Sequence, residues 1–318
     1  MFIRTPESRH VGHLAAPTRA KLILAFAAVY LIWGSTYLFI RFAIETVPPF
    51  LVGGIRFVVA GGAMYAWLRM RGAPRPTAAN WKSAFIIGPL MMTGGNGGIV
   101  WSEQFVASGV VALLVALVPL WMLLLGWMRS GPRPSVREWF GVMTGLVGVA
   151  MLVSTDGNPA HGGIGPLAAL VLILSTLSWS VGSMIARDAP LPASPLLATA
   201  MEMLAGGVGM LLIALLRGEY AQLAVSDVSW RSGLSIAYLG VFGSIVAYTA
   251  YKWLLTRASP AAVGTYAFVN PVVAVALGWA FASEPLGLRT VGAMVVIVGA
   301  VVTISLRPRH AVLADPAE

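Results

Sequence analysis

Cysteine is absent from this chain of 318 residues, and histidine is scarce. Without cysteine the protein has no disulfide, no thiolate nucleophile and no cysteine metal ligand. The four histidines, His10, His13, His161 and His310, lie near the termini or in a loop, so none is available for a metal site or a proton relay inside a hydrophobic span. Charged residues make up only 10% of the chain, against 58% hydrophobic residues. Because such a composition cannot face water throughout, we interpret the chain as a multi-pass membrane protein.

Catalytic motifs are missing as well. The sequence contains no Gly-x-x-x-x-Gly-Lys-Ser/Thr loop, which excludes a P-loop ATPase. Within the hydrophobic spans we find no nucleophile beside a base and no pair of carboxylates within one helix turn, and a membrane-embedded hydrolase needs one or the other. We therefore predict that the protein is not an enzyme and that it binds neither a metal nor a cofactor.

Hydrophobic stretches of about twenty residues, long enough to cross a bilayer, recur along the chain. We count ten, near residues 22–41, 49–69, 82–101, 106–127, 137–153, 165–186, 195–216, 232–254, 258–281 and 287–306. The net charge of +9 does not indicate a nucleic-acid partner, because lysine and arginine fall in bands between the spans. With a cytoplasmic N-terminus, 16 of the 21 basic residues lie in inner segments, 4 in outer segments and Arg56 within a span. This bias predicts that both termini are cytoplasmic.

Internal repetition organises the hydrophobic part. WGSTYLFIR, from Trp33 to Arg41, resembles WSVGSMIAR, from Trp179 to Arg187, at an offset of 146 residues. The stretch from Ala107 to Trp127 matches the stretch from Ala258 to Trp279 at an offset of 151 to 152. Because each copy has an odd number of helices, the two copies cross the membrane in opposite orientations. The sequence predicts an all-α integral membrane fold of ten transmembrane helices in two inverted five-helix repeats, as in many secondary transporters.

We divide the chain accordingly. Residues 1–20 are polar and basic, without a cleavage pattern of small residues, and we predict a disordered cytoplasmic arm there and not a signal peptide. Residues 21–154 form the first repeat and 155–306 the second, together one transport domain. Residues 307–318 form a cytoplasmic tail.

The third span contains GGNGG at residues 94–98 within an otherwise apolar helix. One interpretation is that this segment lines a wet cavity, where loosened backbone is tolerated and the Asn96 amide offers two donors and an acceptor. The other interpretation is tight helix packing by small residues. We favour the cavity slightly, because glycine alone is sufficient for packing.

Pairs of aromatic or polar residues spaced i, i+4 share one face on four other spans. These pairs are Trp33 with Tyr37, Trp179 with Ser183, Tyr248 with Lys252, and Tyr266 with Asn270. The first two pairs are candidates for two walls of one cavity, which adds Ser183 to the predicted cavity residues. Trp33 and Trp179 lie about halfway along their spans, which argues against an anchoring role at the membrane interface. Pro119 and Pro271 occupy equivalent places in the two repeats and are candidate hinges, since each removes a helical hydrogen bond. A proline kink without a role in binding is the alternative.

Charged residues within spans are functional candidates because they are costly there. Arg56 and Glu202 are equivalent in the two repeats, but the inverted topology separates them along the membrane normal, so we do not expect a direct ion pair. Arg56 either serves function or extends to the outer interface, and Glu202 is our candidate for a proton-coupling carboxylate. Glu103, at the outer end of the third span, either gates the entrance or faces water. Lys252 either meets a substrate carboxylate or extends to the cytoplasmic interface.

Three stretches together resemble the EamA-type family of the drug/metabolite transporter superfamily. They are LIWGSTYLFIRFAIETVPPFLVGGIRF, GNGGIVWSEQFVASGVVALLVALVPLW and TYAFVNPVVAVALGWAFASEPLG. The resemblance covers about residues 20 to 306. It implies a central cavity lined mainly by helices one, three, four, six, eight and nine, with helices five and ten at the periphery. Carried over by position, the residues that line or border this cavity are Trp33, Tyr37, Asn96, Trp101, Trp179, Tyr248, Tyr266 and Asn270.

The resemblance also implies export of amino acids, related metabolites or amphipathic drugs across the bacterial inner membrane. We therefore predict a secondary transporter, embedded in the lipid bilayer, that carries a small-molecule substrate by alternating access. Coupling of this transport to protons is a further possibility. A channel, or a receptor that binds a small molecule without transporting it, is the alternative. A channel is less favoured because we find no ring of charges and no carbonyl-filter motif. The helix-packing glycines fit a monomer and a homodimer equally.

Overall fold

The computed structural model describes residues 19–129, 133–152, 164–255, 257 and 266–305. The predicted tail and almost all of the predicted N-terminal arm lie outside these residues. Regular secondary structure in the described residues is helical, which confirms the all-α prediction.

We number the long helices α1 to α10 in chain order. Their bounds are α1 Arg19–Ala43, α2 Pro49–Met70, α3 Ala78–Ser102, α4 Ser108–Met128, α5 Val136–Leu152, α6 Pro166–Ala186, α7 Pro195–Leu216, α8 Trp230–Leu255, α9 Tyr266–Ala282 and α10 Leu288–Ser305. A short helix, Glu219–Gln222, and a 3₁₀ turn, Val225–Asp227, lie between α7 and α8.

Helix starts follow from local sequence. Proline stands at the start of α2, α6 and α7, where its missing N–H leaves no helical hydrogen bond unmade. Thr77 and Asn80 form a capping box before α3, each side chain accepting from the backbone N–H of the other.

Six of these helices are long and apolar enough to cross a membrane: α1, α2, α4, α6, α7 and α8. Residues 269–282 and 288–303, in α9 and α10, form shorter apolar helices. The structure therefore supports a multi-pass membrane protein, while the count of ten crossings stays a prediction.

Three helices contain π-helical segments: Ala28–Trp33 in α1, Pro89–Asn96 in α3 and Leu239–Val246 in α8. The last two are eight residues long and begin at equivalent places in the two predicted repeats, at residues 89 and 239. Such widened turns are common at functional sites. GGNGG overlaps the end of the α3 segment, so the backbone is loosened where the glycines stand.

The two candidate hinge prolines differ in the structure. Pro119 follows a break in α4, which consists of Ser108–Val115 and Val118–Met128. In contrast, α9 continues as a helix through Pro271. The structure therefore has a helix break beside Pro119 and none at Pro271, and the role of either proline as a hinge stays a prediction. A proline removes a single helical hydrogen bond, and packing against α1 and α4 holds α9 in place despite that loss.

Helix packing follows a regular scheme. The most extensive contacts join α2 to α7, followed by those of α3 with α6, α1 with α8, α5 with α10 and α3 with α7, and further contacts join α4 to α9. At the interface of α3 and α7, Gly88 and Gly206 bring the two backbones together. An ideal Cβ on Gly88 would lie 2.9 Å from the backbone nitrogen of Gly206 and closer still to the carbonyl oxygen of Glu202.

Two glutamate side chains cap the N-termini of helices that are distant from them in the chain. Glu284, in the loop between α9 and α10, accepts hydrogen bonds from the backbone N–H groups of Ser108 and Gly109 at the start of α4, at 2.7 and 3.2 Å. Glu219, which is 3% exposed, accepts from the N–H of Leu51 at 3.0 Å, near the start of α2. Both contacts place negative charge at the positive end of a helix dipole.

Glu219 provides a test of this capping. Burial raises the pKa of the Glu219 carboxyl above its ordinary value, while the hydrogen bonds from Leu51 and Phe50 and the charge of Arg217 oppose the rise. A pKa raised in the folded state supplies stability below the pKa of the unfolded chain, and this stability is lost as the pH rises through the folded-state pKa. We expect melting temperatures of the wild type to fall with rising pH relative to Glu219→Gln, which does not titrate.

Removing the acceptor altogether, in Glu219→Ala, is expected to cost about 1 kcal/mol, the typical value of a buried hydrogen bond. Thermal unfolding followed by far-UV circular dichroism, from pH 4 to pH 8 in detergent, checks both expectations. Parallel pH profiles for the wild type and Glu219→Gln would contradict the account of Glu219.

Candidate functional site

A central cavity lies between the helices and contains about 610 Å³ of space, including solvent at its mouth. Its lining residues are Trp33, Thr36, Tyr37, Arg56, Asn96, Ile99, Val115, Val118, Ser175, Thr176, Trp179, Tyr248, Tyr266 and Asn270. They come from α1, α3, α4, α6, α8 and α9, the helices that the family resemblance implies, and from α2 through Arg56.

Trp33 stands at the centre of an aromatic cluster. Its ring meets those of Tyr248 and Tyr266 edge-on, with centroids 5.2 and 5.5 Å apart, and lies 5.0 Å from that of Tyr251. Its indole Nε1 donates to the carbonyl oxygen of Gly243, within the π-helical segment of α8, at 3.1 Å. The loosened turn of α8 therefore supplies an acceptor that fixes the orientation of Trp33.

Asn96 ends the π-helical segment of α3 and lines the cavity. The one contact its amide makes within the described residues is a weak one, from Nδ2 to the sulfur of Met92 at 3.9 Å. The neighbouring glycines serve packing: a Cβ on Gly98 would clash with the hydroxyl of Ser175 on α6. The two interpretations of GGNGG thus apply to different residues of the motif.

Side chains from the second half of the chain, among them Trp179, Tyr248 and Asn270, complete the lining. Trp179 lies 6.2 Å from Tyr248, centroid to centroid. Asn270 is 5% exposed, and with its amide nitrogen turned toward them it donates to the carbonyl oxygens of Tyr30 and Tyr266 at 3.2 and 3.3 Å. Asn270 thereby joins α9 to α1 while it lines the cavity.

Arg56 is buried and reaches the cavity from α2. Its Nε donates to the hydroxyl of Ser244 at 2.8 Å, and the guanidinium carbon lies 4.7 Å from the ring centre of Phe57. The alternative in which Arg56 extends to the outer interface is therefore wrong, because Ser244 and Phe57 hold the side chain between the helices. The structure records no ion pair between Arg56 and Glu202.

Several other candidates lie outside the cavity lining. Trp101 packs edge-on against Phe105, with centroids 5.1 Å apart, and the hydroxyl of Ser183 donates to the carbonyl oxygen of Trp179 on its own helix at 2.8 Å. Lys252 is half-buried and close enough to Glu202 for electrostatic interaction.

The water-facing alternative for Glu103 is wrong. Glu103 is fully buried, and neither of its carboxylate oxygens has a hydrogen-bond partner in the described part of the chain. The end of α1 contacts this position, because Nη1 of Arg41 donates to the backbone carbonyl oxygen of Glu103.

Six lining residues were not among the sequence candidates: Thr36, Ile99, Val115, Val118, Ser175 and Thr176. Ser175 had a signal, since it lies one helical turn before Trp179 on the same face. Thr176 accepts a hydrogen bond from the indole of Trp121 at 2.9 Å. The apolar members carry no signal that separates them from other core residues.

Comparisons with known proteins agree with this architecture. The profile of the EamA-like transporter family matches the chain twice, over residues 20–154 and 166–306. The chain is 38% identical over 284 residues to a protein of Escherichia coli K12 described as the uncharacterized inner membrane transporter YedA, covering 89% of this chain and 90% of that protein. It is 22% identical over 294 residues to the uncharacterized transporter YvbV of Bacillus subtilis, covering 92% and 93% of the two chains.

A solved crystal structure superposes on the chain with a TM-score of 0.62, at 20% identity, covering 90% of this chain and 97% of the other. This likeness shows a shared fold. With the two family matches and the 38% identity to the E. coli protein, it follows that the chain belongs to the EamA-like transporter family.

Proposed function

We propose that this protein is a secondary transporter that exports amino acids or related small organic metabolites or drugs by alternating access through the central cavity. The observation that carries the proposal is the cavity itself, enclosed by helices of both halves and lined by aromatic rings and amides with unused hydrogen-bonding capacity. A site of this kind binds a partly apolar organic molecule.

The proposal includes ten membrane crossings in two inverted repeats, with both termini in the cytoplasm of a bacterial cell. Support comes from the two successive family matches and from the π-helical segments at equivalent places in α3 and α8. The helix contacts also form related pairs, since α3 with α6 corresponds to α8 with α1. Alternating access then consists of one repeat rocking against the other around the cavity, with Pro119 and Pro271 as candidate hinges.

A channel or a non-transporting receptor is the alternative. A channel is expected to have a ring of charges or of carbonyl groups, whereas the described cavity lining consists mainly of aromatic, apolar and small polar side chains with Arg56. Among the described residues, no group of three or more His, Asp or Glu side chains is placed to hold a metal ion.

Counterflow in proteoliposomes tests the transport function. We expect the wild type to exchange at least one neutral or aromatic amino acid from a radiolabelled panel, with saturation and stimulation by substrate on the opposite side. Asn96→Ala should lower the exchange by about tenfold, because it removes a hydrogen bond of about 1.4 kcal/mol to the substrate.

Gln222→Ala is the matched control, since it removes an exposed amide outside the cavity. Flux that rises linearly with concentration, without stimulation from the opposite side, would contradict a carrier and favour a channel. Binding of a panel member without any exchange would favour the receptor.

A further inference from the structure

The cavity has an unbalanced charge. Among the residues that the structure describes, Arg56 is the one charged residue that lines it, and no aspartate or glutamate does. Glu202 and Glu103 are buried elsewhere among the helices, and neither pairs with Arg56. A cation held in a low-dielectric site without a counter-ion is unfavourable unless something neutralises it.

The hydrogen bonds of Arg56 leave a specific vacancy for an acceptor. Nε donates to Ser244, whose own hydroxyl donates to the carbonyl oxygen of Leu239 at 3.1 Å, so Ser244 fixes the guanidinium without neutralising it. Neither terminal nitrogen of Arg56 donates to another described residue. The two terminal nitrogens of a guanidinium match the two oxygens of a carboxylate.

The surroundings suit the rest of such a ligand. Trp33, Tyr248 and Tyr266 present ring edges and faces a few ångströms apart in the same cavity. An apolar or aromatic body can lie against the cavity side of these packed rings, while a cationic ligand meets Arg56 and finds no carboxylate among the described lining residues. A phosphate would bring about two charges to a single guanidinium, which favours a monoanion.

We propose that the central cavity binds an organic molecule with one carboxylate and no net positive charge, with that carboxylate on the terminal nitrogens of Arg56 and its apolar or aromatic body against Trp33, Tyr248 and Tyr266. This inference rests on the proposed transport function only in treating the bound molecule as the transported substrate. Binding of the molecule to the cavity can be measured without any flux. It narrows the substrate from amino acids, metabolites or drugs in general to molecules that carry a carboxylate and no net positive charge.

Three probes with the same aromatic body test it: 3-phenylpropanoate, 3-phenylpropanamide and 3-phenylpropylamine. Isothermal titration calorimetry on the purified full chain in detergent measures their affinities. We expect the wild type to bind the carboxylate at least about tenfold more tightly than the amide or the amine, the discrimination expected from one bidentate charged contact. Equal affinities for the three probes would overturn the proposal, and so would an absence of carboxylate binding.

Variants at Arg56 assign the effect to this residue. In Arg56→Gln the preference for the carboxylate should fall below about twofold, and Arg56→Lys should retain part of it, because lysine keeps the charge without the planar pair of donors. Lys82→Gln removes an exposed positive charge and serves as the control. A preference that survives in Arg56→Gln would overturn the assignment. If Arg56→Gln does not fold, the comparison of probes on the wild type and on Arg56→Lys still decides.

Counterflow with the same probes separates the two proposals. Tight binding of the carboxylate without counterflow contradicts the transport function and supports the anion site. Equally fast counterflow of the amine and the carboxylate supports transport and overturns the anion site.

Discussion

Gly88→Ala is expected to destabilise the protein by about 3 kcal/mol, the upper part of the range for overpacking a well-filled interior. The added methyl group would lie 2.9 Å from the backbone nitrogen of Gly206 and closer to the carbonyl oxygen of Glu202. Backbone atoms cannot rotate away as a side chain does, so α3 and α7 must separate. The contact is reciprocal, because a Cβ on Gly206 would meet the carbonyl oxygen of Gly88. Thermal unfolding in detergent and the yield of folded protein measure the effect.

Gly62→Ala is the matched control for this prediction. Gly62 lies within α2, and the nearest atom to a Cβ there is a methyl carbon of Leu204 at 3.8 Å, an ordinary contact distance. The same substitution should therefore be neutral or stabilise by up to about 1 kcal/mol, through the higher helix propensity of alanine. Equal melting temperatures for Gly88→Ala and Gly62→Ala would show that α3 and α7 do not pack as closely as described.

The helical fold was predictable because hydrophobic stretches and the repeated tryptophan motifs are properties of the chain itself. Seven of the nine predicted cavity residues line the cavity, and they share a simple signal: an aromatic or amide group in the middle of an apolar span. Trp101 and Ser183 lack this signal and lie outside the lining: Trp101 is near the end of α3, and the hydroxyl of Ser183 donates to a carbonyl oxygen of its own helix.

Other features depended on tertiary structure. Two glycines accompany each of the long π-helical segments, in α3 and in α8, but glycine is frequent in membrane helices generally and does not by itself predict a π-helical turn. The position of Arg56 was open because a long side chain in a membrane helix reaches either an interface or an interior partner. The partner, Ser244, lies 188 residues away in the chain, and only the packing of α2 against α8 brings the two together.

Glu202 is the intramembrane carboxyl for which proton coupling is our proposal. Its side chain is fully buried among the helices, with an exposed fraction of 0%. Neither carboxylate oxygen has a hydrogen-bond partner in the described residues. The charged and titratable groups close enough to interact with it are Lys252 and Tyr248, both on α8. Tyr248 also lines the cavity, so a change of charge at Glu202 reaches the substrate site through a single side chain.

We expect Glu202→Gln to retain counterflow within about twofold of the wild type and to lose proton-driven accumulation. Glutamine keeps the shape of the side chain but cannot release a proton, and exchange at equal pH requires no net proton movement. With one proton per substrate, a pH difference of one unit drives about tenfold accumulation in the wild type, because one pH unit corresponds to about 1.4 kcal/mol. In Glu202→Gln the internal and external substrate concentrations should become equal.

Asp227→Asn, which neutralises an exposed acid between α7 and α8, should accumulate substrate like the wild type. Undiminished accumulation in Glu202→Gln would remove Glu202 from the coupling mechanism, and the other buried carboxyl in the described residues without a hydrogen-bond partner, Glu103, would become the group to test.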